Sequence, residues 1–278
     1  MISLKRNNKL ELTEAKGIRE QESSIYKANQ ESDFKLSRSK FEDYLSCPRC
    51  FFLDRCRGLV APQIPKFTLN ETTDHLLKIE FDECRKNQQP HRLFLENGLE
   101  HLVPYQHEQM DKWRNALRGG LMAKFEDTNI VLSGGIDDLW YDTNTKEIIV
   151  CDYKSQANSH EVEAESYLSS GWHQGYKNRM DFYNYLLNLM GFKTADTSYF
   201  YVVNANRAAN GFHSKLEFTE TLIPYKHDFS WIPEKVREMI HCMNQDKVPA
   251  NNPACMNCAY TKQVFKLAKI KGGINENF

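Results

Sequence analysis

The chain has 278 residues, 41% of them hydrophobic, with 36 Lys+Arg against 37 Asp+Glu, a formal net charge of −1 and eight cysteines. That length buries a substantial core without covalent staples, and the longest apolar runs, residues 148–151 and 199–203, fall far short of the ~20 needed to cross a bilayer. A small disulfide scaffold and a transmembrane helix are therefore both excluded as readings. The opening segment, residues 1–9, lacks the apolar core and small-residue cleavage site of a secretory signal, so the expected location is the reducing cytoplasm. Eight cysteines there point to metal, cluster or plain burial. Charge is unevenly spread. Residues 1–40 carry net +3, residues 259–278 carry net +3 through Lys262, Lys266, Lys269 and Lys271 against Glu276, and the middle is left at −7. Basic tails around an acidic middle suit a nucleic-acid enzyme that gathers carboxylates around metal ions, and equally suit solvated lysines on surface helices.

In chain order, residues 1–33 are polar and poor in aromatics, which predicts a flexible arm before a folded region of residues 34–260 and a basic C-terminal tail of residues 261–278. Ser37 or Ser39 caps a helix through Leu45, and Pro48 restarts a second one over residues 49–57. Residues 70–86 carry Leu76, Leu77, Ile79 and Phe81 among charges, an amphipathic helix that is closed off by Pro90. The period then changes. Residues 129–133, 136–142 and 147–154 are short β-forming runs separated by Gly134-Gly135 and by Asp142-Thr143-Asn144-Thr145, which predicts an antiparallel meander. Residues 172–190 return to helical spacing at Trp172, Tyr176, Met180, Tyr183 and Leu187 and stop at Gly191. Residues 197–204 form a strand to which that helix supplies a parallel crossover, followed by a strand at 216–225 and a helix at 231–245. The expected class is mixed α/β.

The informative centre is Gly134-Gly135-Ile136-Asp137-Asp138 followed by Cys151-Asp152-Tyr153-Lys154. Side chains alternate along a strand, so Asp152 and Lys154 share a face and Tyr153 takes the other. Phosphodiester hydrolysis needs hard divalent ions, which select carboxylate oxygens, and a cation to orient water or offset developing charge. An acid on one strand facing an acid and a lysine on the next supplies these groups. Asp138 alternates away from Asp137 and is expected to pack, unless a bulge at the glycines reverses the choice.

Together with the aromatic helix that follows, these runs resemble the PD-(D/E)XK nuclease superfamily, in its RecB-like branch, over roughly residues 37–260. The resemblance implies a restriction-endonuclease-like core, a central mixed sheet flanked by helices. It also implies Asp137 and Asp152 as metal-binding acids, Lys154 as the catalytic lysine and Tyr183 as the tyrosine of the helical motif. Asp74 is the implied further metal ligand on the N-terminal helix, with His75 as its competitor. Arg179 stands four residues before Tyr183, where the family usually carries Gln; it cannot accept a hydrogen bond as Gln can.

Two Cys-x-x-Cys pairs, Cys47/Cys50 and Cys255/Cys258, lie at opposite ends of the folded region. Such pairs suit a four-thiolate site for Zn²⁺ or an iron–sulfur cluster, the alternative being a buried cysteine and a surface loop. The Tyr44-Leu45-Ser46-Cys47-Pro48 context resembles the RecB-like helicase-nucleases and CRISPR-associated adaptation nucleases. It implies a 4Fe–4S cluster clasping the chain ends, although three C-terminal cysteines are usual there and this chain has two. The remaining cysteines, Cys56, Cys84, Cys151 and Cys242, lack ligand spacing.

The sequence thus leads to a Mg²⁺- or Mn²⁺-dependent nuclease acting on DNA, on single strands or as an end-processing exonuclease. The alternative is a DNA-binding or structural module that retains the fold without useful catalysis. No Gly-x-x-x-x-Gly-Lys-[Ser/Thr] occurs, so any helicase is a partner.

Overall fold

A computed structural model of the chain describes residues 4–62 and 67–268. Lys269, Lys271 and Glu276 of the expected basic tail lie outside the described residues, as do residues 1–3 of the polar arm. The chain opens with β1 (Phe34–Ser37), α1 (Arg38–Ser46), α2 (Pro48–Cys56), α3 (Thr68–Asn87) and α4 (Arg92–Glu96). There follow β2 (Leu102–Pro104), α5 (Met110–Arg114), β3 (Leu121–Lys124), β4 (Ile130–Gly134), β5 (Asp138–Asp142) and β6 (Glu147–Gln156). The remainder is α6 (Ala164–Ser169), α7 (Gln174–Leu189), β7 (Thr197–Ala205), β8 (Phe218–Lys226), α8 (Ile232–Met243) and α9 (Met256–Leu267). These elements divide between two compact units. One is made of residues 35–38 and 67–232, the other of residues 4–34, 39–62 and 233–268.

The first unit holds the sheets. Five strands run in the order β2-β5-β6-β7-β8, and three in the order β1-β4-β3. Within the larger sheet only β6 and β7 are parallel, with Asp152 opposite Phe200 and Lys154 opposite Val202. Their connection runs through α6 and α7, the helical crossover that parallel neighbours require. The expected three-strand meander is corrected. β5 and β6 do pair as a hairpin, closed by Asp142 Oδ1 accepting from the amides of Asn144 and Thr145, but β4 leaves for the smaller sheet and pairs with β3. The break falls at Gly135-Ile136-Asp137, which carry no ladder, so the strand expected from residue 136 begins at Asp138.

β6 explains the layering. Its Ile149, Cys151 and Tyr153 join Leu77 and Phe81 of α3, Leu93 and Phe94 of α4, and Trp140 in one apolar cluster. Phe81 is fully buried and lies 5.6 Å from the Trp140 ring and 4.2 Å from that of His91. The opposite face of β6 meets α7, whose residues from Met180 to Leu187 are all buried. Gly191, at φ +85, ends α7: its amide donates to the Asn188 carbonyl and that of Phe192 to Leu187, a left-handed cap that glycine adopts without strain.

In the second unit Pro48 occupies the first turn of α2, where its missing N–H costs nothing. Phe41, Phe51, Phe52, Val236, Met239 and Met243 are among its buried apolar residues. Asp54 gathers Arg19, Lys40 at 2.7 Å and Arg55 at 3.0 Å, and the Tyr26 hydroxyl donates to Asn244 at 3.0 Å. Among the described residues no helix is long and apolar enough to cross a membrane.

Candidate active site and cysteine cluster

The strand alternation read from the sequence holds. Asp152 and Lys154 face α7, while Tyr153 points into the α3 cluster. Asp152 is 1% exposed and its carboxylate is held from both sides: Lys154 Nζ donates to Oδ2, and Arg179 Nη1 lies 3.1 Å from Oδ1. Burial and the neighbouring Arg179 guanidinium draw the Lys154 ammonium down to about 7, against the opposing pull of Asp137. The aromatic face of Tyr176 lies 4.7 Å from Lys154 Nζ and 5.9 Å from the Arg179 guanidinium carbon.

Asp137 reaches the same place from outside the sheet. Continuing the β5–β6 register, in which Asp138 opposes Cys151, by one residue would set Asp137 opposite Asp152, and its Oδ2 accepts from the Tyr153 amide at 3.0 Å. Asp138, one residue on, is buried completely on the other side. There Arg85 and Arg114 (2.9 Å) pair with Oδ1, and the Tyr153 hydroxyl donates to Oδ2 at 2.7 Å. Two adjacent aspartates are thereby separated into an exposed-side acid and a core ion pair by the period of the strand alone.

Tyr183 sets the approach to Asp137. Its hydroxyl donates to the Gly135 carbonyl, and its ring covers Gly134 so closely that a Cβ there would fall 2.6 Å from the ring edge. Gly135 is equally confined, by Ala116. The glycine pair, read in the sequence as a turn or bulge, is thus a matched seat for a tyrosine forty-eight residues downstream. Arg38 at the start of α1 also hydrogen-bonds Tyr183 and acts electrostatically on Lys154; its surroundings in the sequence carry no motif that would have singled it out.

Asp74 lies on α3, partly exposed, with its carboxylate 2.8 Å from Lys78 one turn along. Asp74, Asp137 and Asp152 do not form a preassembled three-carboxylate group: among the described residues, the one set of three or more potential ligands with all donor atoms within 4.8 Å is Cys47, Cys50, Cys255 and Cys258.

Those four cysteines occupy equivalent places. Cys47 precedes α2 and Cys50 lies in its first turn; Cys255 precedes α9 and Cys258 lies in its first turn. Each pair therefore sits where unpaired amides and the helix dipole favour thiolate. The Sγ separations are 3.9 Å for Cys47 and Cys258, 3.6 Å for Cys50 and Cys255, and 3.5 Å for Cys50 and Cys258. Burial raises the Cys47 thiol, but hydrogen bonds from the Cys50 and Asn252 amides and from neighbouring thiols outweigh it and bring it to about 7; burial keeps Cys50 well above the ordinary thiol range. One ion with ~2.3 Å bonds to four sulfurs arranged as a tetrahedron sets them about 3.8 Å apart. The donor set fits a thiolate-bound metal.

A mixed α/β core with a central mixed sheet between helices, consistent with the restriction-endonuclease-like fold, defines the class. A family model of the PD-(D/E)XK nuclease superfamily matches residues 35–263, and the chain belongs to that superfamily, whose members are typically metal-dependent nucleases. No curated protein matches the sequence significantly.

Proposed function

We propose that the protein is a Mg²⁺- or Mn²⁺-dependent deoxyribonuclease of the RecB-like branch, acting on single strands or ends as an exonuclease in the cytoplasm, with a helicase among its partners. The observation that carries this reading is the convergence of Asp137, Asp152 and Lys154 beside Tyr183. Asp137 and Asp152 would hold the divalent ion, and Asp74 would join them once released from Lys78. The ion supplies a polarised water and offsets negative charge on the phosphate. Lys154 Nζ orients the attacking water and offsets charge as the phosphate bond breaks. Tyr183, through Gly135, holds the backbone that presents Asp137.

The four cysteines form a second metal centre in this reading. Resemblance favours a 4Fe–4S cluster, while sulfur separations of 3.5–3.9 Å favour a single Zn²⁺. Metal content and the absorption spectrum of anaerobically purified protein decide between them.

One observation supports the alternative of a binding module without useful catalysis: both oxygens of Asp152 are taken by cations of this chain, Oδ1 by Arg179 and Oδ2 by Lys154. The deciding experiment incubates purified protein with single-stranded DNA and Mg²⁺ or Mn²⁺. Degradation that Lys154→Ala and Asp152→Ala abolish supports the nuclease. Undiminished activity in both variants removes the assignment, and DNA binding without Mn²⁺ binding favours the module.

A further inference from the structure

Trp172 is 93% exposed, in a single 3-10 turn (Gly171–His173) that leads into α7. It forgoes the roughly 2–3 kcal/mol that burying a large apolar side chain supplies. Trp113 and Trp140 are buried, and Trp231 is half-buried with its Nε1 on Asp181. The exposure of Trp172 is not looseness of its surroundings. The neighbouring His173 ring lies 3.9 Å from the Tyr167 ring and 5.3 Å from Tyr176, nearly parallel to the latter, and its Nδ1 lies 2.8 Å from the Tyr167 carbonyl oxygen. Lys177 Nζ donates to the Leu168 carbonyl at 3.0 Å. The turn that carries the indole is therefore braced from both sides.

The same helix leads to the acid and lysine of β6. Tyr176, Arg179 and Tyr183 recur at i, i+3 and i+7 on one face of α7, and Trp172 stands in the turn directly before it. The exposed ring on the turn is followed on the helix by the Tyr176 ring, which lies beside the Arg179 guanidinium and the Lys154 ammonium of β6. From Trp172 through the 3-10 turn and the first turns of α7 to Arg179 the chain rises about 11 Å, the span of roughly three nucleotides at ~3.4 Å each. Cations for phosphates beside an aromatic ring for a base is the combination that grips single strands, since every base offers a π-face once it is unstacked. A duplex keeps those faces internal.

We propose that Trp172 is a stacking platform for a base of a single-stranded nucleic acid whose phosphates pass Arg179 and Lys154; this rests on the nuclease reading of that site and names how its substrate is gripped. His173, held between Tyr167 and Tyr176, is the positioning residue that fixes the platform.

The test is tryptophan fluorescence of the full chain titrated with a dT12 oligonucleotide in buffer without added Mg²⁺ or Mn²⁺, where cleavage does not proceed and the cysteine site keeps its metal, with an abasic oligonucleotide of the same length as control. The expected result is quenching of the wild-type emission by dT12, little quenching by the abasic chain, and no quenching in Trp172→Phe. Trp172→Ala should bind roughly ten- to a hundredfold more weakly, the range for losing one stacked base. Equal affinity of wild type and Trp172→Ala overturns the proposal, as does equal quenching by the abasic chain or no binding of dT12 at all. The nuclease reading fails separately: stacking with no hydrolysis in Mg²⁺ or Mn²⁺ leaves the platform and removes the enzyme, whereas hydrolysis indifferent to Trp172 does the reverse.

Discussion

The hydroxyl of Tyr183 donates to the carbonyl of Gly135, two residues before Asp137, while its ring occupies the space a side chain at Gly134 would need. Tyr183→Phe should cost about 1–2 kcal/mol, the hydroxyl's bonds with Gly135 and Arg38, and weaken Mn²⁺ binding by loosening the segment that presents Asp137. Gly134→Ala should cost more, about 1–3 kcal/mol, because its Cβ meets an aromatic ring that is itself packed. Urea unfolding orders the two variants; a Gly134→Ala protein as stable as wild type would show that the ring is free to withdraw.

Arg179 Nη1 lies 3.1 Å from Asp152 Oδ1, where it would compete with the divalent ion of the proposed site. Arg179→Gln removes the competing cation and restores a side chain with an acceptor oxygen, so calorimetry should find Mn²⁺ bound about tenfold more tightly, the equivalent of one charge-assisted hydrogen bond. Unchanged or weaker binding would mean that the guanidinium already stands aside.

Asp138 is fully buried between Arg85 and Arg114 and accepts from Tyr153. Asp138→Ala leaves the two guanidinium groups with the half-exposed Asp82 as their shared counter-charge and strands the Tyr153 hydroxyl, a loss of roughly 3–5 kcal/mol. Chemical denaturation should register it as the largest effect among the carboxylates discussed, larger than that of Asp74→Ala, whose partner is a lysine on the helix surface.

Asp181 accepts from the Tyr225 hydroxyl, the Trp231 indole and the Asp228 amide, yet burial prevails and pushes its carboxyl up to about 6. A folded-state value above the unfolded ~3.9 means that the folded chain binds the proton more tightly. The stability from this group is complete below ~3.9 and is lost as pH rises through about 6. Relative to Asp181→Asn, which does not titrate, the wild type should lose stability between pH 4.5 and 7.5. A difference constant with pH, or one of opposite slope, would refute the assignment.

Thiolate ligation releases protons, so metal bound at Cys47, Cys50, Cys255 and Cys258 should be held less tightly at pH 6 than at pH 8. Removing it with a chelator, or removing one ligand with Cys258→Ser, should lower the thermal midpoint. A midpoint that responds to neither would reduce the four cysteines to packing.

Much of this site is legible in the sequence because it rests on the two-residue period of a single long strand. Ten residues of β6 place Asp152 and Lys154 together and send Tyr153 the other way, and the helix after it must return to a parallel neighbour. What was not legible depends on short or distant pieces. β1, β2 and β3 have three or four residues each, too few to show a period, and so the departure of β4 to join β1 and β3 left no trace. The glycine pair carried its signal openly, but its reason lies in Tyr183, and spacing along the chain does not report a ring packed on a backbone. The pairing of Asp74 with Lys78 is likewise a property of α3 as folded, where two residues four apart become neighbours.

The contact between Cys50 and Cys258 spans 208 positions. Residues 67–232, which form nearly all of the other unit, are contiguous and leave the ribosome in one stretch, whereas the unit with the four thiols draws on both sides of that stretch. During synthesis the first cysteine pair emerges early and waits with both of its partners, Cys255 and Cys258, still missing. Completion of the thiol cluster therefore waits until Cys255 and Cys258 have been made, and a chain stopped before Cys255 has the acid and lysine strand but only half of the four-sulfur donor set.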